Sequence, residues 1–88
     1  MREFRHVVDD INGLHARPAG VLAALCKGFD SEIKVFALGK EADGKRLLSL
    51  MSLGAKQGTE LCFKINGKDE EVAEASIKEH FNSGVNNG

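Results

Sequence analysis

Tryptophan and tyrosine are absent from these 88 residues, five phenylalanines make up the aromatic complement, and proline occurs once. With so few aromatics and a formal net charge of −1, the chain lacks the basic, aromatic-interleaved surface that nucleic acids demand. Long apolar runs are missing too, so no segment reads as a membrane span. No charged-then-apolar leader for secretion is visible, and the expected location is the cytoplasm. Cys26 and Cys62 lie far apart, and in a reducing compartment no disulfide between them is expected. Neither these cysteines nor His6, His15 and His80 fall at a CxxC or HxxxH spacing, so no metal or other cofactor is expected. Zinc would need a histidine and a cysteine to converge through the fold.

What is present fits one domain spanning residues 1–88. A chain this short buries only about 60–65% of its unfolded surface, so its core must be shared by few elements. Glu3 to Asp9 alternates Phe4, His6 and Val8 against Arg5, Val7 and Asp9, a half-buried strand in which His6 reads as a hydrogen-bonded structural histidine. Asp10-Ile11-Asn12-Gly13 is a loop whose Asn-Gly pair favours a turn with positive φ. Leu22, Leu25, Cys26 and Phe29 mark the buried stripe of a helix over about 16–27, with Cys26 as a small core residue. Gly28 reads as its C-terminal stop, with Phe29 folding back over the last turn.

Ile33, Val35 and Ala37 alternate with Lys34, Phe36 and Leu38 in the clearest strand. Gly39-Lys40 is expected to turn it into a short strand near 41–43. A short helix over 47–53 presents Leu47, Leu50 and Met51 inward, leaves Leu48 and part of Met51 outward, and closes at Gly54. Leu61, Phe63 and Ile65 alternate with Cys62 and Lys64 in a further strand. Asn66-Gly67 turns into a last helix opened by Asp69-Glu70-Glu71, whose charges suit the N-terminal dipole. Its stripe is Ala73, Ile77 and Phe81, flanked by Val72 and His80, and 82–88 reads as a frayed tail with only Val85 apolar. The order β-α-β-β-α-β-α predicts an α+β fold with three helices on one face of a mainly antiparallel four-stranded sheet. Val7, Phe36, Leu38 and Cys62 fall on the other face, where a cluster would mean packing or self-association.

The stretch Gly13-Leu14-His15-Ala16-Arg17-Pro18-Ala19-Gly20 carries the chemistry. Proline is tolerated only in the first turn of a helix, so Pro18 sets the helix start at His15–Ala16. His15 then stands at the N-cap beside the open amides of Ala16 and Arg17, where the helix dipole favours an anion. Arg17 adds a planar, permanently charged fork suited to phosphate oxygens. Spacing alone leaves two readings open: an ordinary solvated pair, since histidine is a poor N-cap, or a histidine that carries a phosphoryl group.

Gly-Leu-His-Ala-Arg-Pro-Ala resembles the active-site signature of the HPr family, histidine-containing phosphocarriers of the bacterial phosphoenolpyruvate-dependent phosphotransferase system. The resemblance continues through Ser52-Leu53-Gly54-Ala55-Lys56-Gln57-Gly58 and covers nearly the whole chain. It implies an open-faced β-sandwich and a phosphocarrier rather than an enzyme. His15 would take the group from phosphorylated Enzyme I through Nδ1 and pass it to an EIIA-type protein in sugar uptake, with Arg17 and the amides of Ala16 and Arg17 holding its oxygens. The site should be shallow and exposed, and the chain is expected to act as a monomer. Leu48 and Met51, with Ala19 and Gly20, are the candidate docking surface. Leu47 joins it, although Leu47 and Leu50 read first as core.

Arg46 occupies the place of the serine that an ATP-dependent kinase modifies in Gram-positive relatives, so no such control is expected. Ser49 and Ser52 read as ordinary helix serines. Two other functions remain in view. The stretch His80-Phe81-Asn82-Ser83-Gly84 resembles the nitrogen-type regulatory branch, with non-sugar acceptors. A plain anion- or peptide-binding module with an unmodified His15 is the alternative of another class.

Overall fold

The computed structural model describes residues 1–82. The elements run β1 (Arg2–Val7), α1 (Ala16–Lys27), β2 (Glu32–Ala37), β3 (Lys40–Asp43), α2 (Leu47–Met51), β4 (Glu60–Asn66) and α3 (Glu70–Asn82). The strands form one sheet in the order β1-β4-β2-β3, and every pair is antiparallel. Asn82 is the last residue of α3 rather than the start of a frayed tail. The rest of that expected tail, with Ser83, Gly84 and Val85, lies outside the described residues.

Alternation decides which face of the sheet is covered. Ile33, Val35 and Ala37 of β2, Leu61, Phe63 and Ile65 of β4, and Ala42 of β3 are all buried. The helices meet this face with Ala19, Leu22, Ala23 and Cys26 of α1, Leu50 of α2, and Ala73 and Ile77 of α3. Each fully buried large aliphatic or phenyl side chain contributes about 1.5–3 kcal/mol by leaving water. This is the open-faced β-sandwich expected from the element order. Phe4 stacks on Phe63 with ring centres 4.8 Å apart, and Phe81 tilts against Phe63 at 5.7 Å. Phe81 also lies flat on His6 at 3.7 Å, so among the described residues ring stacking, rather than the anticipated hydrogen bond, holds this histidine. Burial pushes the His6 imidazole below its ordinary value.

Several boundaries differ from the sequence reading, each for a local reason. The β2–β3 turn is Leu38-Gly39, not Gly39-Lys40, because Ala37 pairs with Lys40. Both turn residues take positive φ, 54° and 76°, as a two-residue hairpin matched to strand twist requires. Gly28 keeps a right-handed φ of −74°, so α1 stops without a left-handed residue. Phe29 N–H donates to the Cys26 carbonyl at 3.2 Å, and the Phe29 side chain packs on the core. Helix α2 ends at Met51, two residues early, and Gly54 turns the chain away at φ 68°. On the open face Phe36 sits opposite Cys62, with Arg5 beyond it. The Lys64 ammonium lies 5.0 Å from the Phe36 ring centre, so charged groups interrupt the apolar residues there.

Two carboxylates tie α3 and the residue that precedes it to the rest of the fold, and neither role was visible in the sequence. Asp69 accepts the N–H groups of Asp30 (2.8 Å) and Ser31 (2.9 Å), and the Ser31 hydroxyl, across the α1–β2 loop. Glu74, buried on α3, accepts from Arg2 Nε at 2.7 Å and faces Lys78 Nζ at 3.3 Å. Ser31 and Asp30 hold the Asp69 carboxyl below its ordinary range, and Arg2 does the same for Glu74. Each therefore supports the fold above the ordinary carboxylate pKa of about 4, and that support is lost as pH falls through the lower folded values. His6 acts in the same sense, because the unfolded chain takes up its proton first, near about pH 6.5. The thermal midpoint should be level between about pH 7 and pH 8, fall gently below that range, and fall steeply below about pH 4. Asp69→Asn should flatten the acid limb, and a midpoint that climbs on acidification would contradict the assignment.

Candidate functional site

The site is assembled where the β1–α1 loop delivers the chain to the first turn of α1. Gly13 takes φ 73°, and Gly13 N–H donates to the Asp10 carbonyl at 2.8 Å, closing a turn. Leu14 N–H then donates to the Ala55 carbonyl at 3.0 Å, which anchors the loop to the segment ahead of β4. His15 follows in extended backbone as the N-cap of α1, with φ −89° and ψ −171°. Its carbonyl accepts the first helical bond, from Ala19 N–H at 3.0 Å. Its side chain makes no capping bond and is 39% exposed, so the imidazole is free for chemistry at the surface.

The N–H groups of Ala16 and Arg17 belong to the first turn, where the helix supplies no acceptor. Pro18 has no N–H to leave open. The Arg17 guanidinium is exposed and enters no ion pair with another described residue. An imidazole nucleophile, two open amides and an uncommitted cation thus share one turn. Together they can hold a transferring phosphoryl group by its oxygens.

Asp10 is the site residue that sequence reasoning missed. Its Oδ1 accepts the Asn12 N–H at 2.8 Å, and its Oδ2 stands 3.5 Å from His15 Nε2. The Asp-x-Asn-Gly run announces the turn. The approach of the second oxygen to the imidazole appears only once the loop has folded onto Ala55.

The candidate docking residues separate. Ala19 is fully buried, so it cannot touch a partner. It continues the Leu22, Ala23 and Cys26 stripe one turn earlier than the apolar pattern indicated, because a small residue at i−3 packs without standing out in the sequence. Gly20 is half-buried. Leu47 and Met51 are 37% and 38% exposed and Leu48 is 78% exposed, whereas Leu50 is fully buried. The inward stripe of α2 is thus narrower than expected. At about 100° per residue, Leu47 and Met51 both lie to one side of Leu50, at about 60° and about 100° from it, and Leu48 points nearly opposite. Helix α2 packs on α1, and Lys27, Lys45 and Arg46 border the exposed leucines.

The remaining polar candidates have other occupations. The Ser49 hydroxyl accepts Asp43 N–H at 2.8 Å, and the Ser52 hydroxyl donates to the Ser49 carbonyl at 2.6 Å. Burial pushes the Cys26 thiol up to about 12, which makes it an inert core group. Cys62 lies on the open sheet face, and both thiols are free. Among the described residues no three histidine, cysteine or acidic side chains converge as metal ligands, and no helix is long and apolar enough to cross a membrane.

The chain is similar to known proteins in both sequence and fold. The family model described as "PTS HPr component phosphorylation site" matches residues 2–83. The Phosphocarrier protein HPr of Mycoplasma genitalium is 43% identical over 79 residues, covering 89% of this chain and 90% of that one. Its counterpart from Borreliella burgdorferi is 35% identical over 77 residues, covering 88% and 90%. The crystal structure of HPr-C-His from Thermoanaerobacter tengcongensis superposes with a TM-score of 0.88 at 32% identity, covering 94% of this chain and 93% of that one. Matched over residues 2–83 by the family model and over most of its length in sequence and in fold, the chain belongs to the HPr family, the histidine-containing phosphocarriers of the phosphoenolpyruvate-dependent phosphotransferase system.

Proposed function

We propose that His15 is the phosphoryl-carrying residue of this phosphocarrier, with Nδ1 as the linked atom. The chain passes phosphoryl groups from Enzyme I to EIIA-type proteins in sugar uptake, and it is a carrier rather than an enzyme with a turnover of its own. The observation that supports His15 is its half-exposed imidazole at the N-cap of α1, unused for capping. The Nδ1 lone pair attacks the phosphorus, and the bond to the donor histidine breaks with its electron pair staying on the donor. Arg17 and the amides of Ala16 and Arg17 steady the oxygens during transfer. They hold a charge that must leave again, so an exposed, water-washed site serves better than a deep one. This work takes place in the cytoplasm, on a monomeric carrier that needs neither cofactor nor metal.

Incubation with labelled phosphoenolpyruvate and Enzyme I should place one acid-labile, base-stable phosphate on His15. Absence of label, or label on a serine, would dismiss the reading. The nitrogen-type alternative gains nothing from the described part of His80–Gly84, since Phe81 serves as a packing ring against His6 and Phe63.

Partners must reach His15 across the neighbouring surface, and the exposed leucines of α2 beside Lys27, Lys45 and Arg46 suit a partner that is apolar at the centre and acidic at its rim. Leu48 supports no core contact that its loss would disturb. Leu48→Asp should weaken binding to Enzyme I by about tenfold or more and leave the thermal midpoint where it was. Calorimetric titration checks this, and unchanged affinity would remove Leu48 from the interface.

A further inference from the structure

Asp10 has more acceptor capacity than its turn consumes. The turn uses its main-chain carbonyl for Gly13 and its Oδ1 for Asn12, each at 2.8 Å. Those two bonds fix the orientation of the carboxylate, and the oxygen left over, Oδ2, faces His15 Nε2 at 3.5 Å. A turn by itself has no need of that second oxygen, because a single side-chain acceptor satisfies the Asn12 N–H. In a neutral imidazole only one nitrogen carries the proton, and the partner of one nitrogen decides what the other can do. An acceptor facing Nε2 keeps the proton there and leaves Nδ1 with a free lone pair.

We propose that Asp10 is a positioning residue that sets the tautomer and angle of His15, so that Nδ1 meets the incoming phosphoryl group unprotonated. The proposal rests on the reading of His15 as the phosphoryl carrier. As the Nδ1–P bond forms and the P–N bond to the donor histidine breaks, no proton has to leave His15, because the attacking nitrogen has none. The ring keeps its Nε2–H and becomes cationic, and the Asp10 carboxylate lies beside that new charge. The 3.5 Å separation in the unphosphorylated chain shortens as the ring charges, as hydrogen bonds at catalytic groups commonly tighten in the reacting state. On transfer to the acceptor the charge disappears and the contact relaxes. Asp10 therefore acts in both directions of the relay without touching the phosphoryl group.

Asp10→Asn separates this role from the turn. The asparagine Oδ1 still accepts from Asn12, so the turn survives, and an NH2 donor replaces the oxygen that faces Nε2. That donor pulls the lone pair to Nε2 and moves the proton to Nδ1. Nitrogen-15 spectra of the free protein at alkaline pH should show His15 chiefly as the Nε2–H tautomer in the wild type, and a marked rise of the Nδ1–H form in Asp10→Asn. The initial rate of phosphorylation by Enzyme I and phosphoenolpyruvate should fall by about tenfold, the scale of loss when the hydrogen-bond partner that orients a histidine is removed, with the thermal midpoint held. Asp10→Ser, which keeps a turn acceptor and offers nothing to Nε2, should lose less rate than Asp10→Asn, and it provides the comparison if the asparagine variant misfolds. Unchanged tautomer populations in Asp10→Asn, or an Asp10→Ser rate equal to wild type, overturn the proposal. The spectra are taken without donor, so they judge Asp10 separately. A wild-type chain that takes no label instead dismisses the carrier reading beneath it.

Discussion

His15→Ala abolishes phosphoryl relay while leaving the fold in place. No other described side chain offers a nucleophilic nitrogen between the Arg17 guanidinium and the open amides of α1, so the loss is not graded. Labelled phosphoenolpyruvate and Enzyme I should deposit no acid-labile phosphate on the variant, and transfer to an EIIA-type acceptor should fall to background, a drop of about a thousandfold or more. Stability should barely respond. The imidazole is 39% exposed and makes no capping bond, which places its removal among surface substitutions of about 0.5 kcal/mol or less. The comparison with Arg17→Ala is informative. That variant keeps the nucleophile and loses only charge stabilisation, so it should still accept label, about a hundredfold more slowly. A His15→Ala chain that still relays phosphate between its two protein partners would remove the foundation of the functional assignment.

Gly13→Ala should injure stability and transfer together. A Cβ on Gly13 would stand 2.5 Å from the Ala55 carbonyl oxygen and 2.9 Å from Lys56 Cα. Both are main-chain atoms that cannot swing aside. The residue also holds φ 73°, which costs an alanine about 1–2 kcal/mol before any collision. With the clash added, the expected loss is roughly 2–4 kcal/mol. In a domain of this size that lowers the thermal midpoint by about 10–25 °C. The loop can relieve the contact only by lifting from Ala55, which breaks the Leu14 N–H bond to that carbonyl and carries His15 with it. Below the new midpoint, phosphorylation by Enzyme I should therefore remain slower than wild type. An alanine variant that melts and transfers like the parent would show that the loop does not need this close approach.

The two variants mark out how much could be read ahead of the fold. The alternation through Ile33–Ala37 and Leu61–Ile65 names the buried face of the sheet directly, because side chains on a strand point in only two directions. Pro18 announces the start of α1 because its ring fits only a first turn, and the structure begins the helix at Ala16, where that rule put it. Local rules worked less well where small residues do the packing. Ala19 looked available to a partner and is fully buried, since an alanine carries no hydrophobic signal strong enough to extend a stripe. On five-residue α2 the period was too short to say how far the stripe spread, and Leu47 proved more exposed than a core residue should be.

Periodicity and turn chemistry are local quantities, so the chain itself determined the element order, the covered face of the sheet, and a histidine at a helix N-terminus beside an arginine. What depended on the tertiary structure were meetings between segments distant in sequence or joined through a folded loop. Among these are Asp69 on Ser31, Glu74 on Arg2, Gly13 against Ala55, and Asp10 turned toward His15. Polar side chains have no period that betrays their partners. Their contacts follow from where the packed backbone happens to bring a donor near an acceptor, and that is settled only when the sheet and helices close on each other.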